Sequence, residues 1–200
     1  MHAWLCSNPT GVDALAWTEL PTPEPGPGEV LIGIRAASLN FPDLLIVQNK
    51  YQFKPPLPFV PGSEYAGVVS AVGEGVKHLR IGQHVACLSG TGGFGTHTIA
   101  SAALCMPLPE GFAFTDAAAF IMTYATSHHA LIDRAALRAG ETVLVLGAAG
   151  GVGTAAIQIA KAAGARGIAA ASTQEKGDVC RAPMPPSTTA RRTCAPRSRS

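Results

Sequence analysis

The stretch Thr142-Val143-Leu144-Val145-Leu146-Gly147-Ala148-Ala149-Gly150-Gly151-Val152-Gly153 decides the fold. A short apolar run stops at a glycine turn, and Thr154 to Ala163 then continues with helical composition. That order is the signature of a parallel strand feeding a crossover helix. Ala165 to Ala171 reads as the second strand, completing one β-α-β unit. Gly147, Gly150 and Gly153 punctuate the turn at three-residue steps. Such a turn tolerates unusual backbone angles and leaves no side chain to obstruct a pyrophosphate. The amides that open the following helix, reinforced by its dipole, would hold the anion. A glycine turn that only packs a helix closely on a sheet is the alternative. Strand, turn and helix in this order favour dinucleotide binding.

Working outward, the first hundred or so residues read as β-rich. Ala14 to Glu19, Val30 to Ala37, Tyr65 to Val72, Gln83 to Leu88 and Gly95 to Ala100 are expected strands. The proline-rich turn from Pro21 to Gly28 separates the first two, because proline fixes φ and removes donors. Phe41 to Val47 reads as a short helix, and Tyr51 to Gly62 as an irregular proline-rich loop. Many short strands with glycine turns indicate a barrel-like domain. After Pro109 the character changes, and Tyr124 to Ala136 has helical composition. The chain is therefore α/β overall.

Composition bounds the function. Of 200 residues, 47% are apolar and 14% charged, which suits a well-buried α/β protein with no apolar run of membrane-spanning length. The net charge of +2 conceals an asymmetry: residues 181–200 carry five arginines and no acid, leaving residues 1–180 at −3. A mildly acidic body does not suit a nucleic-acid binder. Neither a nucleic acid nor a membrane is an expected partner. No secretory signal is visible, and five dispersed cysteines suit reduced thiols in a cytoplasmic setting better than a disulfide framework.

Four segments together resemble the medium-chain dehydrogenase/reductase superfamily, and within it the zinc-independent quinone oxidoreductase branch that includes zeta-crystallin. They are Asn40-Phe41-Pro42-Asp43, Pro58 to Gly67, Thr126 with its helix, and Ala148 to Gly153, in family order across about residues 1–175. The resemblance implies a GroES-like substrate domain (1–112), the first β-α-β part of a Rossmann domain (113–176), and an active site in the cleft between them. It also implies reduction of a quinone or another activated carbonyl or alkene by NADPH. In that picture Asn40, Phe41, Pro42 and Asp43 flank the nicotinamide, and Thr126, Gly147, Gly150, Gly151, Val152 and Gly153 contact the cofactor. Tyr51 matches the cleft tyrosine. It is the one candidate catalytic residue, with packing in the loop as its alternative. An enoyl or acryloyl-CoA type of reductase, and a non-catalytic remnant or binding protein, are the competing functions. Family members form oligomers, and the pairing segment is not expected in this chain.

Residue chemistry argues against a metal. Zinc-dependent relatives carry histidine where this chain has Ser63, and cysteine where it has Phe41; neither replaces a thiolate or imidazole ligand. Adjacent His128 and His129 are expected on different faces of a helix, and His84 and His97 on strand surfaces or in packing. Cofactor choice is read at the end of the second strand. Ser172 and Thr173 can donate hydrogen bonds to a 2′-phosphate and Lys176 can supply charge, so NADPH is expected, with Glu175 a complication.

One mononucleotide half is present, whereas a Rossmann domain has two. Residues 177–200 are expected to be a disordered basic tail, rich in arginine and proline and without apolar periodicity. A natural tail and a shifted reading frame are both open. Read one base out of register, the codons for Ser187 to Ala195 permit Asn-Tyr-Arg-Thr-Glu-Asp-Leu-Arg, a phrase similar to the family's next segment. A C-terminally truncated Rossmann half is expected to leave Val143, Val145, Ile157, Ile159 and Ile168 short of partners and the activity weak.

Overall fold

The computed structural model describes residues 1–181 and 193–196, in two compact units divided between Ile121 and Met122. The first unit holds β1 (His2–Cys6), β2 (Leu15–Glu19), β3 (Glu29–Ala37), β4 (Glu64–Val72), β5 (His84–Leu88), β6 (His97–Ser101) and β7 (Cys105–Pro107). Strands β1 and β2 form an antiparallel ribbon, and the others an antiparallel sheet in the order β6-β3-β4-β5-β7. Single bridges Ala3↔Gly95 and Cys6↔Phe59 tie the ribbon to the rest of this unit. The core gathers the inward residues of the sheet, among them Val30, Ile32, Tyr65, Val69, Val85 and Cys87. This is the β-rich domain the strand pattern indicated.

Helix α1 (Phe41–Val47) has its expected bounds. Asn40 and Asp43 form a capping box, proline occupies the first turn where its missing N–H costs nothing, and Ile46 and Val47 face the core. The chain leaves the helix through Asn49 at φ 56°, a left-handed angle that asparagine accepts. Helix α2 (Phe114–Ala118) buries Ala117 and Ala118 against Ala66 and Ala86. That packing moves the boundary of the first unit from the expected 112 to Ile121.

The second unit contains most of α3 (Ile121–His128), then β8 (Thr142–Leu146), α4 (Gly151–Ala162), β9 (Arg166–Ala171), α5 (Gln174–Arg181) and β10 (Thr193–Pro196). Its parallel sheet runs β10-β9-β8. Strand β8, α4 and β9 are the predicted β-α-β unit.

Three expectations change. The tail was expected to be disordered from residue 177, yet α5 continues to Arg181 and β10 pairs with β9. Thr173 caps α5 by accepting the Lys176 N–H, and Cys180 is buried beside Val145 and Ile157, which anchors the helix. The open edge of β9 offers unpaired peptide groups to β10. The remaining tail positions, and the codon reading over 187–195 except at 193–195, lie outside the described residues. Second, Val145 and Ile157 are buried and Val143 is partly buried in the same cluster. The uncovered apolar residues of β8 are instead Leu144 and Leu146, at 60% and 75% exposure. Helix α4 covers the odd-numbered face. Third, the segment His129–Arg134 is a π-helix, and both imidazoles reach one carboxylate: His129 Nδ1 lies 3.1 Å and His128 Nδ1 3.7 Å from Asp133.

Candidate cofactor and substrate sites

The glycine turn is built by close approach. Gly147 sits at φ 66°, and a Cβ on Gly153 would lie 2.5 Å from the Gly147 carbonyl oxygen and 2.7 Å from Ala148 Cα. Only hydrogen fits there, so the start of α4 rests on the end of β8. Gly150 precedes the helix in an extended conformation and no side chain caps it. The first amides of α4 are thus free of side-chain partners, as a phosphate site requires.

Gly147 and Gly150 line one cleft of about 670 Å³ with Ser172, Glu175 and Lys176. Lys176 Nζ donates to Ser172 Oγ at 3.4 Å, so the cation and the hydroxyl sit side by side. Thr173 Oγ1 is engaged as the α5 cap, accepting the Lys176 N–H at 3.2 Å, and keeps its own proton to donate. The carboxylate of Glu175 belongs to the same cleft.

Not every expected cofactor residue lines this cleft. Gly151 faces Thr123, whose Cγ2 lies 2.9 Å from where its Cβ would be. Val152 is half-exposed on the first turn of α4, and its carbonyl accepts from buried Ser127 Oγ at 2.9 Å. Thr126, the expected residue of α3, is exposed; its neighbours Thr123 and Ser127 hold the glycine helix, and Tyr124 Oη donates to Gln158. On this turn of α3 only Thr126 stands out in the sequence, and Thr123, Tyr124 and Ser127 do not. Their spacing over one helical turn was the available signal.

In the first unit, Asn40, Phe41 and Asp43 line a groove of about 890 Å³ together with Trp4, Trp17 and Ile34. Phe41 is 70% exposed, and Trp4 and Trp17 meet at 5.5 Å between ring centroids. The groove is largely aromatic and aliphatic, suited to a flat apolar molecule. Pro42 does not line it. Tyr51 does not either: it packs against Cys6, Ile46 and Phe59. The structure thus brings two groups of expected residues together, one in each unit.

Beneath α1 lies a polar network. Asp43, nearly fully buried, accepts from Ser63 N at 2.9 Å, Ser63 Oγ at 2.5 Å and Asn40 N at 2.8 Å. Glu64, fully buried, accepts from Ser38 Oγ at 2.6 Å and from Asn40 Nδ2 at 3.3 Å. These charge-assisted bonds fix Asn40 at the helix entrance. At the position where zinc-dependent relatives have histidine, Ser63 is committed to Asp43. Among the described residues no group of three histidine, cysteine or acidic side chains could hold a metal ion.

Residues 26–110 match the alcohol dehydrogenase GroES-like domain family. The phthioceranic/hydroxyphthioceranic acid synthase of Mycobacterium tuberculosis is 43% identical over 158 residues, which are 78% of this chain and 7% of that protein. The synaptic vesicle membrane protein VAT-1 homolog of Rattus norvegicus is 45% identical over 139 residues, 70% of this chain and 34% of that protein. Among solved structures, the quinone oxidoreductase of Thermus thermophilus, determined alone and with NADPH, superposes with a TM-score of 0.80 at 38% identity. That match covers 90% of this chain and 56% of the other. The chain therefore spans about half the length of this solved neighbour and a smaller share of the two curated relatives.

Proposed function

The chain belongs to the medium-chain dehydrogenase/reductase superfamily, and from that premise we propose that it serves an NADPH-dependent, zinc-free oxidoreductase acting on a quinone or a similar activated carbonyl or alkene. The observation that carries this reading is the uncapped glycine turn opening on the same cleft as Ser172 and Lys176. When bound, NADPH supplies the hydride, since the cofactor carries the redox chemistry.

The chain's own residues bind and orient. The α4 amides take the pyrophosphate, and Lys176 with Ser172 and Thr173 takes the 2′-phosphate. Glu175 raises the cost of that phosphate, so the cation beside it sets the balance between the two dinucleotides. Asn40, Phe41, Pro42 and Asp43 form the nicotinamide side, with Asn40 held by Glu64 and Asp43. The apolar groove around Phe41 accepts the electron-poor substrate and sheds its water. Tyr51 is offered as a hydrogen-bond donor to substrate in the loaded enzyme, although its ring is used in packing here. The setting is cytoplasmic.

Fluorescence titration with NADPH and NADH, on the wild type and Lys176→Ala, tests the reading. NADPH is expected to bind more tightly than NADH. The substitution should weaken NADPH by about tenfold, the loss of one exposed charge-assisted contact, and leave NADH unchanged. No binding at millimolar cofactor would favour the remnant or binding-protein alternative. Turnover of an enoyl thioester in place of a quinone would favour the second reductase class.

A further inference from the structure

Two cysteines eighteen positions apart in the chain are brought opposite each other by the sheet. Cys87 of β5 pairs with Cys105 of β7, and on its other side Cys87 pairs with Tyr65 of β4. The hydrogen bonds define which kind of pair this is. Leu108 N donates to the His84 carbonyl, so 84 and 108 form a hydrogen-bonded pair, and alternation makes 87 and 105 a non-hydrogen-bonded one. The β4 side agrees: Val69 N donates to Gln83 and Ser89 N to Ser63, so Tyr65 and Cys87 are hydrogen-bonded partners and Cys87 turns its peptide groups away from β7. Non-hydrogen-bonded antiparallel partners have Cα atoms about 4.5 Å apart with side chains at their closest, within the range a disulfide spans.

Both thiols point into the core of the first unit, beside Tyr65 and Val85. Cys87 is fully buried and Cys105 nearly so. Yet β7 is the sheet's edge strand and only three residues long, with half-exposed Leu104 and Met106 on either side of Cys105. Pro107 offers no N–H to a further strand on the outer side of β7. Fraying of such an edge is the least costly way to admit a small oxidant.

We propose that Cys87 and Cys105 are an oxidisable cross-strand dithiol, which a peroxide closes to an intramolecular disulfide. Cys87 attacks first. Its sulfur displaces one peroxide oxygen as water and becomes a sulfenic acid; the Cys105 sulfur then forms the S–S bond, losing its proton and expelling the second oxygen as water. Two electrons pass from the two sulfurs to hydrogen peroxide, and two waters leave. The polarity of the pair suits this order. The neighbouring Cys105 thiol holds Cys87 below the usual thiol range against the burial that opposes it, whereas Cys87 and burial push Cys105 up, and the Cys105 thiol donates to the Ser101 carbonyl at 3.4 Å. The disulfide would staple edge strand β7 to β5, closing the weak side of the sheet.

The test is a thiol map of the full chain after hydrogen peroxide treatment in native buffer, followed by unfolding, alkylation and peptide mass spectrometry. Of five cysteines, three should take the label and Cys87 and Cys105 should appear in one cross-linked peptide, two hydrogens lighter than its parts. Dithiothreitol should restore all five. Cys105→Ser should trap a sulfenic acid on Cys87 that a dimedone probe captures. Five labelled cysteines would overturn the proposal. So would a linkage through Cys6, Cys180 or Cys194, or sulfinic acid on Cys87 with Cys105 free. If the variant does not fold, the wild-type peptide map decides alone.

Discussion

Gly153→Ala tests the closest approach in the second unit. The added Cβ would stand 2.5 Å from the Gly147 oxygen, 2.7 Å from Ala148 Cα and 2.9 Å from Ala148 C, where real Cβ atoms essentially never come within 3.0 Å. All three are backbone atoms, so no side-chain rotation relieves them. Two terms oppose each other. Alanine in place of glycine favours a helix by about 0.8–1 kcal/mol in its interior, and by less at a first-turn position. Overpacking against a rigid partner costs about 1–3 kcal/mol. The clash wins, and a net loss of about 1–2 kcal/mol follows. Relief requires α4 to move outward from the turn by about half an ångström or more, carrying its first amides with it. Stability of the unit and NADPH affinity should therefore fall together. Hydrogen exchange of residues 142–171 reads the first and fluorescence titration the second. Gly167→Ala is the control, because nothing lies within 4 Å of its Cβ position and its backbone angle is ordinary. It should be neutral or gain about 0.4–1 kcal/mol through the unfolded chain. A Gly153→Ala protein as stable as the wild type would refute the packing argument.

Other substitutions probe the first unit. Asp43→Asn retains one acceptor where three donors converge and sets an amide N–H against them; it should cost about 2–3 kcal/mol in urea denaturation, and a loss below about 0.5 kcal/mol would show the network to be dispensable. Tyr65→Phe removes a buried hydroxyl that has no hydrogen-bond partner. Stability should hold or rise by up to about 1 kcal/mol, and a comparable loss would mean the hydroxyl is bonded.

The elements legible in the sequence are those whose signals are local. Helix α1 is framed by Asn40, Pro42 and Asn49, and β8 by its apolar run and Gly147, so their bounds agree with the structure. Strand β7 has three residues and a proline, too little to read; it forms because Pro107 falls at a non-hydrogen-bonded position, where no N–H is needed. Helix α5 is polar and contains Gly177, and its anchor is the burial of Cys180, a tertiary contact. In β8 every position after Thr142 is apolar, so the sequence carries no mark of which face the helix covers. The candidate site divides the same way. The glycines and Asn40 to Asp43 stand out because their chemistry is local to a motif. Ser127 and Ser38 meet Val152 and Glu64, partners distant in the chain. The pairing of Cys87 with Cys105 is a matter of register, which spacing alone does not encode.

Both tryptophans of the chain, Trp4 and Trp17, belong to the β1–β2 ribbon. Their indole emission is consequently an intrinsic optical label for Met1–Ile121 alone, sensitive to anything that enters the adjoining groove. Melting of the parallel sheet would leave that signal flat while circular dichroism changes. Comparing the two probes on one sample separates the thermal histories of the halves without any added dye.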